Sequence, residues 1–136
     1  IYIYIYMQKY YRLCDNCIYV VQSEIVVSDK PLYTSHVGTC SVLLFSHNKL
    51  NFMAHIDALQ NNSKQIIKKI LERYEKEELK EVEINIIKGK WCNEMCITTN
   101  IIKEALEELN LVYLIYKKRV NWKNEIHIKN KKISIK

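Results

Sequence analysis

Three side chains of types suited to amide hydrolysis lie within 22 residues of one another: Thr34, Cys40 and His55. A cysteine hydrolase needs a thiolate with a base in hydrogen-bond reach, and usually a third group that fixes the imidazole. It also needs backbone N–H groups near the sulfur to hold an oxyanion. Cys40 follows Val37, Gly38 and Thr39 and opens an apolar run. Gly38 allows a substrate to approach the backbone closely. Thr34 could accept a hydrogen bond from the imidazole nitrogen that faces away from sulfur. Residue types alone leave a second reading open: Cys40 as a small buried hydrophobe and His55 as an ordinary, partly buried histidine. On types alone the packing reading outweighs the catalytic one.

The elements that would position these groups can be read from the pattern. Residues 40–47 (CSVLLFSH) form a compact apolar run, expected as a buried strand. Residues 50–56 return as a second strand across Asn48 and Lys49, so the two should form a hairpin. In such a hairpin, the residues entering the first strand and leaving the second are neighbours, which brings Cys40 toward His55. Upstream, residues 18–27 (IYVVQSEIVV) read as one strand with a polar interruption, and residues 28–31 as a turn. Asn61, Asn62 and Ser63 offer N-cap oxygens to a helix whose apolar face is Ile66, Ile67, Ile70, Leu71 and Tyr74. Residues 81–87 alternate as a strand, and Gly89 marks a bend. Residues 98–100 should cap a second helix burying Ile101, Ile102, Ala105, Leu106 and Leu109. Residues 111–116 form another strand, and 125–129 with 132–136 a terminal hairpin. The order predicts an α+β single-domain sandwich of mixed or antiparallel β-sheet with two main helices.

Three segments resemble the protein N-terminal asparagine amidohydrolases. Residues 19–27 (YVVQSEIVV) look like that family's tyrosine–valine and Gln-x-Glu strand. Thr39-Cys40 before an apolar strand resembles its nucleophile segment, and Met53-Ala54-His55-Ile56-Asp57 its His-x-Asp strand end. Thr34 falls on the family's hydroxyl position. The resemblance is firm from Tyr19 to Asp57 and architectural beyond. Residues 34–40 (TSHVGTC) are also similar to the Thr-x-x-Leu-Gly-Ser-Cys motif of the chemotaxis-receptor glutamine deamidases, which share a sandwich fold with the cytotoxic necrotising factor toxins. Either resemblance implies thioester chemistry by Cys40, His55 and Thr34, without metal or organic cofactor. The first family implies a protein or peptide N-terminus as substrate, with N-terminal asparagine converted to aspartate and ammonia released. Glu24, Asp57, His36 and Thr39 are the implied substrate-binding residues. The chain departs from the family where acids usually follow the hydroxyl position, since Ser35 and His36 stand there. It also reduces a Gly-Gly to Gly89. The alternatives are deamidation of an internal glutamine, or an inactive binding module with the same fold.

The remaining features are consistent with one domain. The chain has 136 residues and a net charge of +6, with its lysines spread along helices and the C-terminal end. There is no interleaved basic and aromatic platform, so no specific nucleic-acid partner is expected, and no stretch reads as membrane-spanning. Residues 1–6 alternate Ile and Tyr. They read as a low-complexity extension or an edge strand, with the domain proper over 7–136 and a start at Met7 favoured. Five cysteines without a signal peptide suggest free thiols in a reducing setting, in the cytoplasm or nucleus. Cys14, Cys17, Cys92 and Cys96 could supply two zinc-ligand pairs, but four incidental thiols are expected. A catalytic Cys40 is expected to have a lowered pKa and to alkylate faster than these four.

Overall fold

The computed structural model describes residues 3–6, 13–14, 16–58, 62–92 and 96–136, with the backbone alone for 3–6, 13–14 and Lys76. Asn61 as a cap, Met7 as a start and the thiol of Cys14 lie outside what is described. The chain runs β1 (Ile3–Tyr6), β2 (Leu13–Cys14), β3 (Cys17–Tyr19), β4 (Ile25–Ser28), β5 (Leu32–Thr34), β6 (Ser41–His47) and β7 (Leu50–Ile56). It continues through α1 (Ser63–Leu71), α2 (Lys76–Lys80), β8 (Asn85–Lys88), α3 (Ile97–Glu108), β9 (Leu114–Ile115), β10 (Ile126–Lys129) and β11 (Lys132–Ile135).

Among the described residues the expected α+β architecture is present as two mixed sheets and three helices. One sheet has the order β1-β4-β7-β6-β8-β9, the other β11-β10-β5-β3-β2. Two apolar clusters define three layers. In the first, Leu43, Phe45, Phe52, Ala54 and Ile56 of the larger sheet pack against Ile66, Ile67 and Ile70 of α1 and Ile102, Ala105 and Leu106 of α3. In the second, Val26, Val42, Leu44, Met53 and Ile87 from the other face of that sheet meet Ile18, Leu32, Ile126 and Ile128 of the smaller sheet. Strands β6 and β7 are therefore buried on both faces, which explains their nearly unbroken apolar sequence. Each fully buried large side chain here contributes roughly 1.5–3 kcal/mol. No helix among the described residues is long and apolar enough to cross a membrane.

The β6–β7 hairpin forms as expected, with Ser41 opposite Ile56 and Val42 opposite His55. Asn48 and Lys49 both have positive φ, 49° and 64°, as the favoured two-residue hairpin turns require. The terminal hairpin is likewise present, turning through Asn130 and Lys131 at φ 46° and 70°.

Other boundaries move. Residues 18–27 are two strands in different sheets, because the chain turns at Gln22 and Ser23, the latter at φ 74°. The polar residues read as an interruption are that turn. Helix α1 ends at Leu71, before Tyr74, and a separate α2 follows. Helix α3 begins at Ile97, so Thr98 and Thr99 are buried first-turn residues and not caps. Their hydroxyls have a partner inside: Ser41 Oγ lies 2.9 Å from Thr98 Oγ1 and 2.8 Å from Thr99 Oγ1. Strands β8 and β9 are shorter than their alternating stretches. Within the N-terminal repeat, β1 pairs antiparallel with β4 at the edge of the larger sheet.

The expectation of four free thiols fails. Cys92 and Cys96 are disulfide-bonded to each other, and Cys17 is disulfide-bonded as well. The sulfurs of Cys92 and Cys96 close a five-residue loop at the start of α3, and β2 and β3 set Cys14 opposite Cys17. Cys92 and Cys96 are four positions apart, so local geometry rather than distant folding brings their sulfurs together.

Candidate active site

His55 is the penultimate residue of β7, in the middle of the larger sheet. Thr34 ends β5, in the middle of the smaller one. Both are buried, and they meet across the sandwich: Thr34 Oγ1 is 2.7 Å from His55 Nδ1. The same hydroxyl donates to the Val20 carbonyl at 2.7 Å. A threonine hydroxyl has one hydrogen, and it is committed to Val20. His55 Nδ1–H must therefore be the donor to Thr34, which leaves the lone pair on Nε2. Nε2 is buried and has no hydrogen-bond partner among the described residues. The expected orienting role of Thr34 thus has a geometric basis: it selects the tautomer in which Nε2 is a base.

Cys40 immediately precedes β6. Residues two apart on a strand share a face, so Cys40 lies on the face of Val42, which is opposite His55. It belongs to the same inter-sheet cluster as Val42. The next pair beyond the ladder is Cys40 and Asp57. Asp57 acts electrostatically on both groups, raising the pKa of Cys40 and working against the drop at His55. Its carboxylate also accepts a hydrogen bond from Gln22 Nε2.

The resting pair is neutral. Burial first, and the Asp57 charge second, push the Cys40 thiol up to about 11. Burial lowers His55 to about 4. The expectation of a low-pKa thiol is corrected on this point: Cys40 is only 5% exposed, and desolvation penalises the thiolate. Because Nε2 has no partner, the Cys40 thiol does not bond to it in this state.

The four implied substrate-binding residues separate. Glu24 is fully buried. Its backbone carbonyl accepts from His55 N–H at 3.0 Å, and Ser23 N–H donates to the His55 carbonyl at 2.8 Å. Glu24 Oε1 accepts from Val21 N–H at 2.9 Å, Oε2 has no hydrogen-bond partner among the described residues, and burial raises the pKa of the carboxyl. His36 is exposed at φ 59°. Its ring packs edge-on against Trp122, centroids 4.8 Å apart. Its Nδ1 lies 2.9 Å from Ser35 Oγ, which is 2.8 Å from Tyr19 OH. Thr39 is exposed, and its carbonyl accepts from Thr98 Oγ1 at 3.1 Å. Asp57, half-buried, is the acid nearest the thiol in register.

The Cys40 turn is held from behind by residues that the sequence reading treated only as a bend. Gly89 N–H donates to the Cys40 carbonyl at 3.1 Å and Trp91 N–H to the Gly38 carbonyl at 3.1 Å. The chain has two glycines, and they pack together here. A Cβ on Gly89 would collide with the carbonyls of Val37 and Gly38. A Cβ on Gly38 would come within 2.9 Å of the Trp91 ring and 3.1 Å of the Trp122 ring. Their scarcity was the available signal. A cleft of about 670 Å3 exists elsewhere, lined by His47, Asn48, Glu78 and Lys131 at the turn end of the β6–β7 hairpin. It is remote from Cys40. No three His, Cys, Asp or Glu side chains among the described residues converge as metal ligands.

No protein-family model and no curated protein sequence matches the chain. The candidate site therefore rests on its own geometry.

The depressed His55 pKa makes a stability prediction. Above pH 6.5 His55 is neutral in folded and unfolded chains alike, and its contribution is fully present. Between pH 6.5 and about 4 the unfolded chain binds a proton that the folded one refuses. Stability therefore falls with pH over that window, by up to about 3 kcal/mol from this residue. Glu24, with a raised pKa, acts in the opposite direction above pH 4.5. Denaturant midpoints at pH 7.5 and 5 should drop more for the wild type than for His55→Gln. Equal drops would show that His55 is not buried neutral.

Proposed function

We propose that the protein is a cysteine amidohydrolase that converts N-terminal asparagine of peptides or proteins to aspartate. The observation that carries this reading is the buried Thr34–His55 hydrogen bond, which leaves a lone pair on Nε2 at the end of the sheet face that Cys40 shares. In this mechanism Nε2 takes the thiol proton as sulfur attacks the side-chain amide carbon. The tetrahedral intermediate collapses as His55 returns the proton to nitrogen, the C–N bond breaks and ammonia leaves. Water, deprotonated by His55, then hydrolyses the thioester, restoring the thiol and releasing the carboxylate. The oxyanion would be held by backbone N–H groups of the turn at Gly38–Cys40.

Asp57 is the proposed receptor for the substrate's α-ammonium. It is half-buried, stands opposite Cys40 in register and couples to both Cys40 and His55. An ammonium bound there would cancel the charge that opposes the thiolate, so the substrate would itself assist ionisation. Glu24 Oε2 is a second, more deeply buried acceptor. His36 and Thr39 border the mouth. The protein is proposed to act in the cytoplasm or nucleus, where N-terminal aspartate would feed protein degradation. In a reducing compartment the Cys92 and Cys96 sulfurs would be thiols.

The test is a peptide panel varying the first residue, read by mass spectrometry for amide-to-acid conversion. Asn-initiated peptides should be converted and their N-acetylated forms should not. Conversion that ignores the acetyl group would favour an internal-glutamine deamidase. No conversion at all would favour an inactive binding module, a reading supported by the buried, protonated thiol. Among variants, His55→Ala should lower kcat by about 10²–10⁴-fold, the usual worth of proton transfer. Thr34→Ala should cost less, because it disturbs orientation alone. The reverse ranking would mean that the roles are misassigned.

A further inference from the structure

Six large apolar side chains among the described residues are exposed: Trp91, Ile97, Val112, Leu114, Trp122 and Ile135. Three of them gather around the turn that carries Cys40. Trp91 and Trp122 both lie against Gly38. Trp91 and Ile97 together line a pocket of about 190 Å3 whose wall includes Thr39, the residue before Cys40, and Ala58, the residue after Asp57. Trp91 is 63% exposed and Ile97 62%. Neither is needed for the core, and an exposed indole beside a reactive turn has a cost in solubility that packing does not explain.

The pocket's position suggests its occupant. It begins one residue from the nucleophile and one residue from the proposed ammonium receptor. The pocket opens on the α3 side of the sheet, where Ser41 meets Thr98, so a peptide with its first side chain at Cys40 and its ammonium at Asp57 would carry its second residue past Thr39 and round the end of the sheet to reach it. Trp91 and Ile97 are the surfaces it meets. Resting on the amidohydrolase reading, we infer that Trp91 and Ile97 form a subsite for the second residue of the substrate, selective for aromatic and large aliphatic side chains. Trp122, edge-on to His36, forms the opposite rim. None of the described residues that line the pocket is charged, and against Trp91 and Ile97 an acidic or basic second residue would be desolvated without a partner.

The chain's two tryptophans are Trp91 and Trp122, so indole fluorescence reports this mouth and nothing else. Two readouts follow, on the full chain. In turnover, kcat/KM for an Asn-Phe tetrapeptide should exceed that for Asn-Ala by about tenfold, the usual discrimination of an apolar pocket. Trp91→Ala and Ile97→Ser should each bring the ratio toward one, and Trp91→Leu should retain part of it should the alanine variant fail to fold. In binding, the Cys40→Ala protein should show a saturable fluorescence shift at lower concentration with Asn-Phe than with Asn-Ala. Turnover with no preference between the two peptides overturns the subsite while the amidohydrolase reading stands. A fluorescence preference with no turnover by the wild type overturns the amidohydrolase reading and with it a substrate subsite, leaving an apolar peptide pocket. Absence of both overturns the two together.

Discussion

Cys40→Ala is expected to abolish ammonia release from Asn-initiated peptides while leaving the protein folded. The sulfur is the only atom proposed to bond to the substrate, and no other described free thiol stands near His55 to replace it. The fold should survive because the change removes one small group from the inter-sheet cluster, in which Val42, Leu44, Met53 and Ile87 continue to supply the packing. Circular dichroism and a denaturant midpoint would establish folding, and an ammonia assay the loss. Activity that persists in a folded Cys40→Ala protein sinks the assignment. Alkylation of the wild type adds a second arm. With the thiol at about 11, the free protein should react slowly with iodoacetamide at pH 7 and faster as pH rises toward 11. An Asn-initiated substrate amine should accelerate the reaction if Asp57 is neutralised as proposed. Rapid labelling at pH 6 without substrate would contradict the desolvation described here.

Gly89→Ala is expected to be the more damaging of the two Gly→Ala changes open to this chain. The new Cβ would meet backbone oxygens of Val37 and Gly38, not a side chain that can rotate away. Relief requires separating Gly89 from the Cys40 turn, which strains the hydrogen bond from Gly89 N–H to the Cys40 carbonyl and its neighbour from Trp91 to Gly38. Overpacking of this kind costs typically about 1–3 kcal/mol. The displacement falls on the backbone of the proposed nucleophile, so on the amidohydrolase reading activity should drop by about 10²-fold even in the molecules that remain folded. The measurement is a denaturant midpoint together with kcat/KM per folded molecule. Full activity in a stable Gly89→Ala protein would mean that the turn is not held as described. Gly38→Ala should be milder, because its Cβ meets the rings of two exposed tryptophans that can shift.

Much of the fold was legible because local rules and tertiary needs agree. The β6–β7 hairpin has two apolar runs separated by two residues that tolerate left-handed backbone, and the terminal hairpin repeats the device at Asn130 and Lys131. The helices carry apolar residues at helical spacing on one face. Where reading failed, two elements had been merged or an end misplaced. Nothing in residues 18–27 tells a polar interruption of one strand from a turn between two sheets. That depends on Glu24 pairing its backbone with His55, 31 positions later.

The candidate site divides in the same way. The types, order and spacing of Thr34, Cys40 and His55 are properties of the sequence, and so is the hairpin that makes its two ends neighbours, but the register that puts Cys40 on the face of His55 is seen only in the structure. The sequence also determined that glycine would be rare and confined to two places. Only the tertiary structure decided that Thr34 reaches His55 from the opposite sheet, that its one proton is committed to Val20, and that Nε2 therefore holds the lone pair. Only it brought Gly38, Gly89, Trp91 and Trp122 together, and only it raised the thiol and lowered the imidazole. The physical reason is that hydrogen-bond direction and desolvation depend on every group that surrounds an atom. Those groups come from strands far apart in the chain, and local pattern carries no record of which of them will meet.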